Sequence, residues 1–125
     1  MKKLFLFLFG IALLGTWSYA QNIDTTQYNV ADLQVLPEFS GGYSKMYDYI
    51  LKSSTIPKEQ AGKVLVSFSV SQTGVLGNFK IEKSASTVLD NEALRILKSM
   101  PNWKPGKIEG KVVNVRKIEI PISFR

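Results

Sequence analysis

The sequence predicts an α+β domain, with two helices packed on one face of a three-stranded antiparallel sheet in the order helix, strand, strand, helix, strand. Three observations carry this. Apolar residues recur at helical spacing from Tyr43 to Lys52 and again from Leu89 to Met100. They alternate with period two from Gly62 to Ser71 and from Ile118 to Phe124. Gly, Pro and Ser separate these blocks, at Ser53-Ser54, Gln72-Thr73-Gly74 and Pro101.

The chain has 125 residues, 45% apolar and 21% charged, which allows one globular domain. Residues 1–20 read as a cleaved export signal. Lys2-Lys3 is a positive head, Leu4 to Leu14 is nearly all apolar, and Ser18-Tyr19-Ala20 places small residues at a cleavage site. The apolar block is shorter than the roughly 20 residues a membrane-spanning helix needs. The alternative is a retained signal that anchors the chain in the inner membrane. Cleavage would leave 14 basic and 10 acidic residues, lowering the net charge from +6 to +4. Residues 21–36 then form a flexible lead-in, and 37–125 the domain.

In the first helix, Tyr43, Met46, Tyr47, Ile50 and Leu51 fall at i, i+3, i+4, i+7 and i+8, so both tyrosines are expected on the buried face. Val64, Val66, Phe68 and Val70 form the inward face of the first strand, with Leu65, Ser67 and Ser69 opposite. Gly74 supplies the positive φ of a hairpin. The second strand spans about Leu76 to Lys83, with Gly77 marking a bulge. Thr87 is expected to cap the second helix, with Asp90 at the positive end of its dipole. Leu89, Ala93, Ile96, Leu97 and Met100 make its core stripe, and Pro101 ends it. Trp103 anchors the chain beyond the helix and Pro105-Gly106 turns it. The last strand starts at Lys111; Ile118, Ile120, Ile122 and Phe124 alternate strictly, while Val113 and Val115 take the opposite phase. Pro121 cannot donate to a ladder, which places this strand at an edge. A hairpin followed by a right-handed helical crossover puts the third strand beside the first. The spatial order is second, first, third, leaving an open edge near Val112 to Glu119.

The chain has no cysteine and no histidine. Disulfides, thiol nucleophiles and Cys/His zinc sites are excluded, and the commonest general base is missing. Asp90 and Glu92 read as capping residues, and no acid–base pair stands out. Neither an enzyme, a cofactor nor a metal site is expected. Lys104, Lys107, Lys111, Arg116 and Lys117 form a basic run, read first as solvated surface and second as attraction to acidic partners or anionic lipid. Nucleic acid is not expected as a partner, because basic and aromatic residues do not interleave.

Four stretches resemble the TonB C-terminal domain family. Gly62-Lys63-Val64-Leu65-Val66-Ser67-Phe68-Ser69-Val70, with Gly74 after it, is similar to the family's Gly-x-Val-x-Val-x-Phe-x-Val…Gly strand. Glu92-Ala93-Leu94-Arg95 through Trp103-Lys104-Pro105-Gly106 resembles its second helix and Trp-x-Pro-Gly segment. Pro37-Glu38-Phe39-Ser40-Gly41-Gly42 resembles a Pro-x-Phe-Pro-Gly-Gly lead-in, with Ser40 in place of proline, and Pro121-Ile122-Ser123-Phe124 the closing Pro-Ile-x-Phe. The resemblance implies a non-catalytic periplasmic module that grips a partner peptide by β-strand addition in TonB-dependent transport. The partner is then an outer-membrane TonB-dependent receptor or another envelope protein, with contact to membrane only indirect if the signal is removed. On this reading Val113, Asn114, Val115, Arg116 and Lys117 form the partner-binding edge, and Trp103, Pro105 and Gly106 the structural anchor. All five prolines fall inside the domain, so no proline-rich spacer is expected to carry force, and Ile56-Pro57 stands where the family has Tyr-Pro. The alternative is a self-associating structural protein, a homodimer through its edge strands.

Overall fold

A computed structural model describes residues 25–57 and 59–124. The proposed signal at residues 1–20 lies outside them. The elements are β1 (Gln27–Tyr28), a 3-10 turn at Val30–Asp32, α1 (Gly42–Ser53), β2 (Gly62–Val70), β3 (Leu76–Lys83), α2 (Thr87–Ser99), β4 (Gly106–Ile108) and β5 (Lys111–Phe124). The helix–strand–strand–helix–strand order is found, with two short strands added.

The sheet runs β1-β5-β2-β3, and β4 also pairs with β5. The three long strands keep the expected order, with β2 central and antiparallel to both neighbours. The expected three-stranded antiparallel sheet is instead a five-stranded mixed one, because β1 lies parallel to β5. Both extra strands are two or three residues long, too short to leave a periodic signal.

Apolar side chains from one sheet face and the inner sides of the helices form the core. Val64, Val66, Phe68 and Val70 of β2 meet Ile118, Ile120, Ile122 and Phe124 of β5. Leu89, Ala93, Ile96 and Leu97 of α2 and Met46 and Ile50 of α1 cover them. Val115 is buried with the isoleucines despite its opposite phase in the sequence. A register shift explains this: Phe68 faces Ile118 but Val70 faces Val115, so β5 carries one extra residue around Arg116 and Lys117. Such a bulge flips the alternation and returns Val115 to the core side.

Three local expectations are corrected. The cap of α2 is Ser86, whose hydroxyl accepts from the Leu89 N–H at 3.2 Å, and Thr87 is the first helical residue. Asp90 reaches back from the first turn to the Ser84 hydroxyl and, at 3.1 Å, to the Ala85 N–H. Pro105-Gly106 does not turn the chain. Gly106 opens β4, and the turn into β5 is Glu109-Gly110, with φ of 51° and 78°, the paired positive values of a tight hairpin. In α1, Tyr43 and Tyr47 lie outward, 52% and 37% exposed, as does Leu51. The inner face is Met46, Tyr49 and Ile50, so the expected stripe is rotated towards Tyr49, away from Tyr43, Tyr47 and Leu51. Met46 and Ile50 are buried in both readings, and the face that packs extends from them towards Tyr49.

Of the flexible lead-in expected at residues 21–36, residues 21–24 lie outside the described residues, and 27–36 are tied to the rest of the molecule. Gln34 and Val35 donate backbone N–H groups to the Lys107 carbonyl at 3.0 and 3.1 Å. Val30 and Leu33 pack on the core, and Pro37 is fully buried.

Candidate functional site

The three sequence motifs around Trp103, Gly74 and Gly106 set the frame for β5. Trp103 is 3% exposed and meets Phe68 and Phe39 edge-on, with ring centroids 5.1 and 6.3 Å away. These are favourable aromatic geometries in a dry setting. Its backbone N–H donates to the Gly74 carbonyl at 2.8 Å. A Cβ on Gly74, where φ is +84°, would stand 1.9 Å from the Trp103 carbonyl oxygen. Only glycine admits that approach. Gly106 is buried, and a Cβ there would press on Val115, Leu33 and Pro37 at 3.0–3.3 Å. The lack of a side chain lets β4 settle against β5. Pro105 beside it is half-buried.

The edge expected to be open is partly occupied. Val113 pairs with Gly106 of β4, Asn114 with Gln27 and Val115 with Tyr28 of β1. Beyond Val115, the side of β5 facing away from β2 has no strand partner among the described residues. Arg116 and Lys117 sit there, on the bulge, with exposed side chains. At Pro121 the strand has no N–H to offer, and its carbonyl already accepts the Tyr47 hydroxyl at 3.3 Å. The free stretch of β5 is therefore 116–120. Tyr47 brings α1 to this edge, and Tyr43, Tyr47 and Leu51 form an exposed apolar stripe at i, i+4 and i+8 alongside. Periodicity alone misses this stripe, because it places both tyrosines in the core.

The open sheet face is polar. Lys117 Nζ stands 2.9 Å from Glu82 Oε2 on β3 and 3.1 Å from Glu119 Oε1, and Lys80 Nζ lies 3.7 Å from Glu82 Oε1. The hydrogen bond from Lys117, with a second from Ser67, lowers the pKa of Glu82, while the bonds to Glu82 and Glu119 raise that of Lys117. The basic run does not form one patch. Arg116 and Lys117 line a cleft of about 230 Å³ with Lys80 and Glu82. Lys104 and Lys107 line another, of about 490 Å³, with Val35, Leu36 and Glu38.

Glu92 joins the helices. It is 7% exposed and accepts from the Thr55 N–H at 2.6 Å, the Thr55 hydroxyl at 2.8 Å and Arg95 Nε at 2.6 Å. Arg95 donates onward to the Ser53 carbonyl at 2.6 Å. The Arg95 hydrogen bond first, and Thr55 after it, hold the Glu92 pKa down at about 2 against the opposing effect of burial. A carboxylate that accepts three hydrogen bonds, two of them from Thr55 just after α1, is a staple between α1 and α2. Among the described residues no group of three or more Asp and Glu side chains is placed to hold a metal ion, and no helix is long and apolar enough to cross a membrane.

The arrangement presents main-chain donors and acceptors along β5, next to an apolar helix stripe. That geometry has the main-chain groups an added strand would use. Neither the curated proteins nor the solved structures include a match to this chain. A family model does match, that of the Gram-negative bacterial TonB protein C-terminal, over residues 55–125. The match covers more than half of the sequence and spans β2 to β5, so the chain belongs to the TonB C-terminal family.

Proposed function

We propose that the chain is a non-catalytic, exported protein-interaction module that binds an extended segment of an outer-membrane receptor, or another envelope protein, by strand addition to β5. The family is one of periplasmic interaction modules in TonB-type transport. The observation that carries the finer reading is the unpaired side of β5 at 116–120, next to a side that is already laddered to β2. Backbone groups on such a border gain partners when a peptide lies down along it, and alternate side chains of the guest supply selectivity. On this edge they would meet Tyr43, Tyr47 and Leu51. In this reading Arg116 and Lys117 lie on the stretch that receives the guest, and Val113, Asn114 and Val115, covered by β4 and β1, continue the same border.

The test is titration of the 15N-labelled chain with synthetic peptides covering the N-terminal segments of the receptors in the same envelope. Shifts along 113–120, with new protection of amides within 116–120 from exchange, are expected. Shifts confined to β3, or none with any peptide, would reject strand addition to β5. A concentration-dependent dimer protected along β5 without peptide would favour the self-associating alternative.

A further inference from the structure

β1 is already a guest on β5. Gln27 lies opposite Asn114 and Tyr28 opposite Val115, in parallel. The Asn114 side chain sets the position. Its Oδ1 accepts from the Gln72 N–H at 2.9 Å. A backbone N–H can only donate, so the amide orientation is fixed with Nδ2 on the other side. There Nδ2 donates to the Thr26 carbonyl at 3.3 Å. Gln72 belongs to the β2–β3 turn, so this donor stays aimed at the edge whether or not the lead-in is seated.

The lead-in's own hold on β5 is slight. After Tyr28 the chain leaves through Asn29 into the 3-10 turn, and its anchors are downstream at Leu33, Val35 and Pro37. Two residues pair with β5 here, against eight residues of β2 on the other side. Gln27 is exposed and Tyr28 half-buried. Short pairings with little burial open first in native proteins.

We propose that the outer edge of β5 at Asn114 and Val115 is a strand-exchange surface, on which residues 26–28 and an extended partner segment are alternative occupants. The partner part rests on the strand-addition reading above. The segment that fits runs parallel to β5, places a main-chain carbonyl at Asn114 Nδ2, carries no proline at the two pairing positions, and gains most from a large side chain where Tyr28 sits. In the unbound protein the tethered lead-in masks the site, so the apparent affinity of any partner is reduced by the fraction of time the edge is uncovered.

The probe is a synthetic peptide of residues 25–31, added in trans to the purified chain and to the same chain carrying Gln27→Pro and Tyr28→Pro. The peptide is expected to shift Asn114 and Val115 in the double variant and to bind the unaltered chain roughly tenfold or more weakly, because there the edge is occupied. Equal affinity for both chains overturns the proposal, as does absence of binding, or shifts elsewhere, in the folded variant. Should the variant lose its cooperative melt, hydrogen exchange in the unaltered chain decides. The Tyr28 and Val115 edge amides must open at least tenfold more often than Val66 and Ile120, and equal protection overturns the proposal. Receptor peptides that bind neither chain would reject the proposed function and leave the trans-peptide result to judge this one. Receptor peptides that bind both chains equally would keep that function and reject the exchange.

Discussion

β3 and β5 border the same central strand, yet among the described residues only β5 has taken on guests. Opposite β2, the partner positions on β3 jump from Lys83 to Ile81 and again from Lys80 to Gly77, so β3 is bulged twice in eight residues. Asn78, at one of these breaks, has a φ of 50°. Lys80 and Lys83 add exposed charge. Bulges and lysines are the usual means of keeping an edge from pairing. β5 instead keeps seven successive pairs with β2, from Phe124 to Ile118, and its one bulge lies at 116–117, next to the β1 contact. The guests on β5 lie at 111–115, beyond that bulge, while the regular run 118–124 stays uncovered on its outer side among the described residues; the number of bulges and exposed lysines separates the two edges.

The largest expected effect tests the strand shared by both edges. Trp103→Ala removes the ring packed on Phe68 and should cost about 3–5 kcal/mol in chemical denaturation. Because β2 serves both borders, amide protection should fall on β3 and β5 alike. Loss on β3 alone would mean that Trp103 supports only the hairpin side and would widen the contrast.

Gly74→Ala acts nearer to β3. The added Cβ collides with a backbone carbonyl at a positive φ, and a cost of about 2–4 kcal/mol is expected, read from the unfolding midpoint. Exchange should rise first in the β2–β3 turn, leaving 118–124 protected. An unchanged midpoint would show that Trp103 is free to withdraw.

Glu92 links the helix beside β5 to the helix over β2 and β3. Its folded pKa, about 2, lies below the ordinary glutamate value of 4.5. The stability it contributes is therefore complete above that ordinary value and drains as pH falls from about 4.5 towards about 2. Glu92→Gln should flatten the stability profile in that window, and Glu92→Ala should cost about 2 kcal/mol at neutral pH. An acid limb as steep in Glu92→Gln as in the parent would assign it to other carboxylates.

The smallest effect concerns the ion pair that ties the two borders across Ser67. Lys117 is half exposed and the pair lies at the sheet surface, so Lys117→Ala should shift the melting midpoint little from the parent. A clear drop would show that β3 and β5 are held in register by charge as well as by β2.

Much of the fold was legible because burial imposes periodicity. The limits of β3, the inward face of β2, the start of β5 and the order of the three long strands were all readable from residue type and spacing. Less of the candidate site was. Asn114 and Val115 were assigned to the last strand, but their pairing with Gln27 and Tyr28 joins segments far apart in the chain and leaves no local trace. The outward turn of Tyr43 and Tyr47 was hidden because periodicity groups them with Met46 and Ile50 on one face.

The amino-acid sequence by itself determined the class of fold, the absence of thiol and imidazole chemistry, and the family, because these depend on residue identity and local spacing. The tertiary structure alone decided which stretch of β5 stays uncovered, that a bulge at Arg116 and Lys117 returns Val115 to the core, and that the chain's own lead-in lies on the edge. Those outcomes follow from main-chain pairing between distant segments, and main-chain groups are the same in every residue but proline, so side-chain pattern carries little record of them.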